Sequence, residues 1–153
     1  MGNRIDIINL GCSKNLVDSE KLSRQLELCG YIVRHDPERI RCDIAIVNTC
    51  GFIGDAKEES INVILELASM KQSKQIKRLF VMGCLSGRYI DDLPSEIPEV
   101  DKFYGKFSWN EIVSDLGKSY HQESALQRTI TTPSHFAYLK ISEGCNRHCA
   151  YCA

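Results

Sequence analysis

Neither sign of charge dominates this sequence: 19 Lys and Arg stand against 20 Asp and Glu, for a formal net charge of −1 and a sequence pI of about 6.4. That balance gives no electrostatic footing on a phosphate backbone, and nucleic acid is not indicated as a partner. Long apolar runs are missing too. No stretch approaches the roughly 18 residues of a membrane span. The opening Met1-Gly2-Asn3-Arg4-Ile5-Asp6 lacks the apolar core of a secretory leader. The expectation is a soluble, cytoplasmic protein with no membrane partner. What remains is ordinary globular material, 43% hydrophobic and 25% charged over 153 residues, enough for one domain and the edge of a second.

Against that background the eight cysteines stand out. Disulfides are rare in the cytoplasm, so metal binding or catalysis is the better explanation. Cys145, Cys149 and Cys152 form a compact C-x₃-C-x₂-C set beside the chain's last residue, Ala153. Cys12, Cys50 and Cys84 each follow an apolar run and have a glycine beside them. Cys29, before Gly30, and Cys42 lack that context and read as small buried hydrophobes.

The chain alternates strand and helix patterns. Ile5–Leu10 reads as a buried strand, and a helix from about Leu16 to Cys29 carries Leu22, Leu26 and Cys29 on one face before Gly30. Tyr31–Val33 is a short strand and Cys42–Asn48 the clearest central one. Asp55 and Glu58 open the next helix as a capping pair, with Ile61, Ile64, Leu65 and Ala68 as its buried stripe. Arg78–Met82 is a strand, Gly87–Leu93 a short helix, and Lys102–Tyr104 another strand. A last helix, capped by Ser108 and Glu111, ends near Gly117. The alternation predicts an α/β fold: a mostly parallel sheet of about five strands with helices on both faces. Residues 1–117 form this domain and the polar stretch 118–134 is a linker. Residues 135–153 begin a second domain, with Phe136–Ile141 the first strand of a barrel whose remainder is absent.

Cys12, Cys50 and Cys84 each fall at the C-terminal end of a strand. A parallel sheet brings all three out at the same edge, where open α/β sheets place their sites. The helix N-termini beyond Cys12 and Cys50 favour an anionic group there. Zinc is the competing reading, but structural zinc takes a fourth protein ligand and no histidine falls at an equivalent strand end. Three thiolates with an open position suit an iron–sulfur cube better. For Cys145, Cys149 and Cys152 the alternative is a zinc knuckle completed by His148, whose side chain would point away from that of neighbouring Cys149.

Two cysteine triads, one spread over an α/β domain and one in a C-x₃-C-x₂-C loop, resemble the radical S-adenosylmethionine (SAM) methylthiotransferases. The stretch Asn9-Leu10-Gly11-Cys12-Ser13-Lys14-Asn15-Leu16-Val17-Asp18-Ser19-Glu20 is similar to the first motif of the branch acting on a ribosomal-protein aspartate. So are Asn48-Thr49-Cys50-Gly51-Phe52-Ile53, Gly83-Cys84-Leu85 and the segment from Thr132 to Cys152. Ser13 departs from the proline of many members. The resemblance implies two 4Fe-4S clusters, one on Cys12, Cys50 and Cys84 and one on Cys145, Cys149 and Cys152. Tyr151 would contact the SAM adenine.

The implied reaction starts from a 5′-deoxyadenosyl radical that abstracts hydrogen from the β-carbon of an aspartate. The substrate is the twelfth small-subunit ribosomal protein, and a methylthio group follows from the first cluster. Such a C–H bond has no acidic proton for a side-chain base, so no residue is assigned as catalytic. An electron donor such as flavodoxin or ferredoxin is implied, and the 153-residue chain alone would be inactive. The alternatives are a tRNA adenosine methylthiotransferase and a non-catalytic, metal-bound docking module.

Overall fold

The computed structural model describes residues 2–51, 54–144 and 146–150. Cys145, Tyr151 and Cys152, for which metal and SAM roles are expected, lie outside the described residues. The elements run β1 (Arg4–Asn9), α1 (Ser13–Leu28), β2 (Ile32–His35), β3 (Ile44–Thr49), α2 (Gly54–Gln72) and β4 (Arg78–Gly83). Short α3 (Cys84–Arg88) and α4 (Leu93–Glu96), then β5 (Lys102–Phe103) and α5 (Trp109–Asp115), complete the domain.

The strands form one sheet in the order β2-β1-β3-β4-β5, and every pairing is parallel. Parallel strands need crossovers, and these helices cover both faces, which is why β3 is buried at all six positions. On one face Ile5, Ile7, Ile44, Ile46, Phe80 and Met82 pack against Leu22 and Leu26 of α1 and Ile112, Val113 and Leu116 nearby. On the other, Ala45, Val47, Leu79 and Val81 meet Ile64, Leu67 and Ala68 of α2 with Leu93 and Ile97. The predicted three-layer α/β architecture is therefore what forms.

The chain steps from β1 outward to β2, then crosses back over β1 to β3. That reversal opens a crevice at the carboxyl ends of β1 and β3.

Several boundaries differ from expectation. Helix α1 starts at Ser13, because Cys12 takes the N-cap with extended backbone (φ −93°, ψ 170°). Strand β2 slides to Ile32–His35 to pair with Arg4–Ile7. The stripe of α2 is Ser60, Ile64, Leu67 and Ala68, while Ile61 and Leu65 face outward. The Ser60 hydroxyl bonds the Cys50 backbone, and that contact fixes the rotation of the helix. The helix expected at Gly87–Leu93 is instead two short pieces, α3 and α4.

No strand forms at Phe136–Ile141, where Leu139 and Ile141 are exposed, since no strand among the described residues lies alongside to pair with it. The polar stretch 118–134 is irregular but tied down along α1. Gln25 exchanges two hydrogen bonds with the His121 backbone, and Glu27 accepts from the Thr129 hydroxyl. Glu20, itself buried, accepts from the Thr131 backbone and pairs with Arg128.

Candidate metal centre

Strands β1, β3 and β4 are neighbours in the sheet, spaced about 4.8 Å apart. Cys12 stands three residues beyond β1, Cys50 one beyond β3, and Cys84 one beyond β4. The three cysteines thus leave the same edge on adjacent loops, beside the β1–β3 crevice. Cys12 is exposed, Cys50 buried, and Cys84 between the two.

Glycines let these loops close on one another. Gly11 has φ +96°, and a Cβ built there would lie 2.6 Å from the Cβ of Cys50 and 2.9 Å from its sulfur. Gly83 has φ +108°, and its Cβ would lie 2.5 Å from the carbonyl oxygen of Thr49. Both positions require a backbone that side-chain-bearing residues rarely adopt. In this fold the two glycines serve the approach of loop to loop.

One buried amide joins all three loops. The Asn15 Nδ2 donates to the carbonyls of Leu10 (2.9 Å) and Thr49 (3.0 Å), and its Oδ1 faces the Cys84 sulfur at 3.7 Å. Asn48 continues the network by donating to the Asn15 carbonyl (2.8 Å) and the Ser19 hydroxyl (2.9 Å). The Thr49 hydroxyl donates to the Met82 carbonyl (2.7 Å) and accepts from the Ser86 N–H (3.3 Å). The Ser60 hydroxyl lies 3.1 Å from both the amide nitrogen and the carbonyl oxygen of Cys50. Arg88 donates to the Gly51 carbonyl at 3.3 Å. Such satisfied, low-dielectric networks hold loops rigidly.

Asn15, Asn48, Thr49 and Ser60 lie inside the motifs or beside them, where neither apolar periodicity nor cysteine spacing marks them. Their signal was position: amides and hydroxyls at the ends of apolar strands, where a buried polar group needs partners.

The Lys106 ammonium, on the loop that follows β5, pairs with Glu143 at 2.9 Å. Glu143 bonds Lys140 as well, and Lys140 first, with Lys106, holds its carboxyl down to about 2. Among the second cysteine set, Cys149 is described and exposed, and Cys145 and Cys152 are not described. Of the remaining thiols, Cys42 is buried as expected, whereas Cys29 is only half-buried. Burial, reinforced by the Asp6 charge, pushes the Cys42 thiol up to about 12. The Cys29 sulfur lies 3.6 Å from the Ser119 carbonyl, and burial raises its pKa too.

Among the described residues, no three His, Cys, Asp or Glu side chains stand close enough together to hold a metal ion. The donor chemistry nonetheless suits a thiophilic group. Cys12, Cys50 and Cys84 occupy the three neighbouring strand ends, and the missing side chain of Gly11 keeps the space beside the Cys50 sulfur clear.

Comparison with known proteins follows the same lines. The chain is 67% identical over 150 residues to the "Ribosomal protein uS12 methylthiotransferase RimO" of Bacteroides thetaiotaomicron, covering 98% of this chain and 34% of that protein. It is 66% identical over 151 residues to the protein of that name from Parabacteroides distasonis (99% and 35% covered). With the namesake from Prosthecochloris aestuarii it shares 52% over 149 residues (97% and 34% covered). The chain spans about a third of the length of the curated relatives it matches. A family model described as "Uncharacterized protein family UPF0004" matches residues 4–105, from the first residue of β1 to just past β5. The chain therefore belongs to the UPF0004 family.

Proposed function

We propose that this chain is the sulfur-donor part of a methylthiotransferase that adds a methylthio group to the β-carbon of an aspartate in ribosomal protein uS12. The observation that carries the reading is the 67% identity, over nearly the whole chain, to a protein named for uS12 methylthiotransfer. It favours the ribosomal-protein branch over a tRNA-modifying one and over a docking module without chemistry. The three cysteines on adjacent strand ends support it independently.

Cys12, Cys50 and Cys84 would hold one 4Fe-4S cluster, and Cys145, Cys149 and Cys152 a second that also binds SAM, with Tyr151 against the adenine. When bound, the first cluster supplies sulfur and the second the one-electron cleavage of SAM. The chain's own residues set the stage. Asn15 and Asn48 hold the three loops in register, and Ser60 fixes the Cys50 backbone. The exposed Cys12, at a helix N-cap with no side-chain capping bond, is free to turn toward its partners. The open amides of the first turn of α1 offset negative charge at the edge. A ribosomal substrate and an electron donor such as flavodoxin or ferredoxin place the reaction in the cytoplasm.

Two measurements test this. Anaerobic reconstitution is expected to give roughly eight irons per chain, falling to about four in Cys12→Ala or Cys145→Ala. A colourless product holding zinc alone would refute the cluster assignment. In a strain lacking the gene, mass analysis of uS12 is expected to show the unmodified aspartate. Intact uS12 modification with loss of tRNA methylthiolation would overturn the substrate.

A further inference from the structure

The residues just before the C-terminal cysteine set are not loose. The Lys140 side chain is only 8% exposed, and its ammonium lies 2.8 Å from both carboxylate oxygens of Asp18 on α1. The same ammonium lies 2.6 Å from Glu143. Glu143 in turn pairs with Lys106, and the Gly105–Lys106 backbone packs against Gly87 of α3, the short helix that begins at Cys84. A continuous line of alternating charge therefore runs from α1, through the segment entering the second cysteine set, to the loop packed against the helix that carries Cys84.

The neighbouring loop is shaped to the same end. Phe107 sits at φ +66°, a conformation a bulky residue holds only when its surroundings impose it. There its ring lies beneath the Lys140 ammonium, 5.0 Å away, and edge-on to Trp109. Asp18, Phe107, Trp109, Lys140 and Glu143 line a cleft of about 320 Å³. Surface ion pairs contribute little, but a lysine side chain shielded from solvent between two carboxylates and an aromatic face is strongly committed to one geometry.

We infer that Asp18, Lys140, Glu143 and Lys106 are positioning residues: a charge clamp that fixes the segment entering the C-terminal cysteine set against the sheet edge bearing Cys84. The inference rests on the two-cluster reading for its purpose, but its geometry is independent of any metal. With two clusters, the clamp sets the separation between the site where the substrate radical forms and the site that delivers sulfur.

The test uses the metal-free, reduced chain. Trp109, the single tryptophan, lines the same cleft and reports whether the segment is seated. Thiol–thiol cross-linking with a bismaleimide, mapped by peptide mass analysis, reports the approach of Cys84 to the exposed Cys149. Lys140→Glu sets three carboxylates together. It is expected to shift Trp109 emission to the red, raise acrylamide quenching roughly twofold or more, and cut Cys84–Cys149 cross-linking about threefold. Lys140→Arg keeps the charge and is expected to match the parent in both.

The more exposed link gives a second, gentler probe. Lys106→Glu sets a carboxylate against Glu143 and is expected to reduce cross-linking, whereas Lys106→Arg keeps the pair and is expected to match the parent. Far-UV circular dichroism verifies that each variant is folded. Unchanged emission and cross-linking in folded Lys140→Glu, or a loss of cross-linking in Lys106→Arg as large as in Lys106→Glu, overturns the clamp. Iron content is read separately: failure to load iron refutes the cluster reading and leaves the clamp to be judged by these two signals.

Discussion

Asn15 offers the sharpest test of how the three cysteine loops are held. It is 4% exposed, so water does not replace what its side chain provides. Asn15→Ala removes both donors, leaving the carbonyls of Leu10 and Thr49 without that partner inside the protein. Each buried group so orphaned costs about 1–3 kcal/mol. Alanine's better helix propensity returns roughly 0.5 kcal/mol. The expected net loss is about 1.5–5.5 kcal/mol, large beside the roughly 5–15 kcal/mol that a domain has in total. Asn15→Asp separates two explanations. As the third helical residue after the Cys12 cap, an aspartate there would gain about 0.3–1 kcal/mol from the helix dipole. It would also turn a carboxylate on two carbonyl oxygens. If the loop network governs, Asn15→Asp is at least as damaging as alanine. Urea unfolding of the metal-free, reduced chain measures both. An aspartate variant as stable as the parent, or an alanine loss under about 0.5 kcal/mol, would refute the hub.

Two further expectations concern thiols and protons. Because burial pushes Cys42 up to about 12, its thiolate fraction at pH 8 is only ~10⁻⁴, against tens of per cent for an ordinary thiol. Iodoacetamide should label the exposed Cys12 and Cys149 quickly and Cys42 only after denaturation; fast native labelling of Cys42 would contradict its packing. His35 has both ring nitrogens buried without partners, and burial lowers its pKa below 6.5 against the pull of Asp36, Glu20 and Glu27. The unfolded chain then binds the proton more tightly than the folded one. Stability is accordingly full above about pH 6.5 and falls as pH drops through that value, levelling off below the folded pKa. His35→Gln should flatten the slope between pH 7 and 5, and a slope unchanged in the variant would show that other groups set it.

Strand positions were legible because a sheet covered on both faces demands continuous apolar runs, as in Ile44-Ala45-Ile46-Val47. The shared edge of Cys12, Cys50 and Cys84 followed from parallel topology alone. What escaped was set by tertiary contacts. The face of α2 turned on one hydroxyl, Ser60, which an apolar-stripe count does not register. Asp55 lies inside the first turn of α2, where its charge meets the helix dipole. Polar stretch 118–134 read as a linker because its anchors on Glu20, Gln25 and Glu27 have no periodicity. Phe136–Ile141 has the alternation of a strand, but an extended segment needs a neighbour, and sequence pattern alone does not supply one.

The order of the strands also governs when the site can come into being. Each of Cys12, Cys50 and Cys84 belongs to a different βα unit, and the three strand ends lie side by side only once β3 has paired with both β1 and β4. On a growing chain the first thiol therefore emerges long before the third is in place. During that interval Cys12 is an uncommitted thiol, open to zinc, oxidants or premature iron. Contacts joining residues this far apart in sequence form slowly, since loop closure precedes any reward. For the proposed cluster, folding therefore sets the order of events: before β4 docks only two of the three cysteine-bearing strand ends are in place, and afterwards all three are.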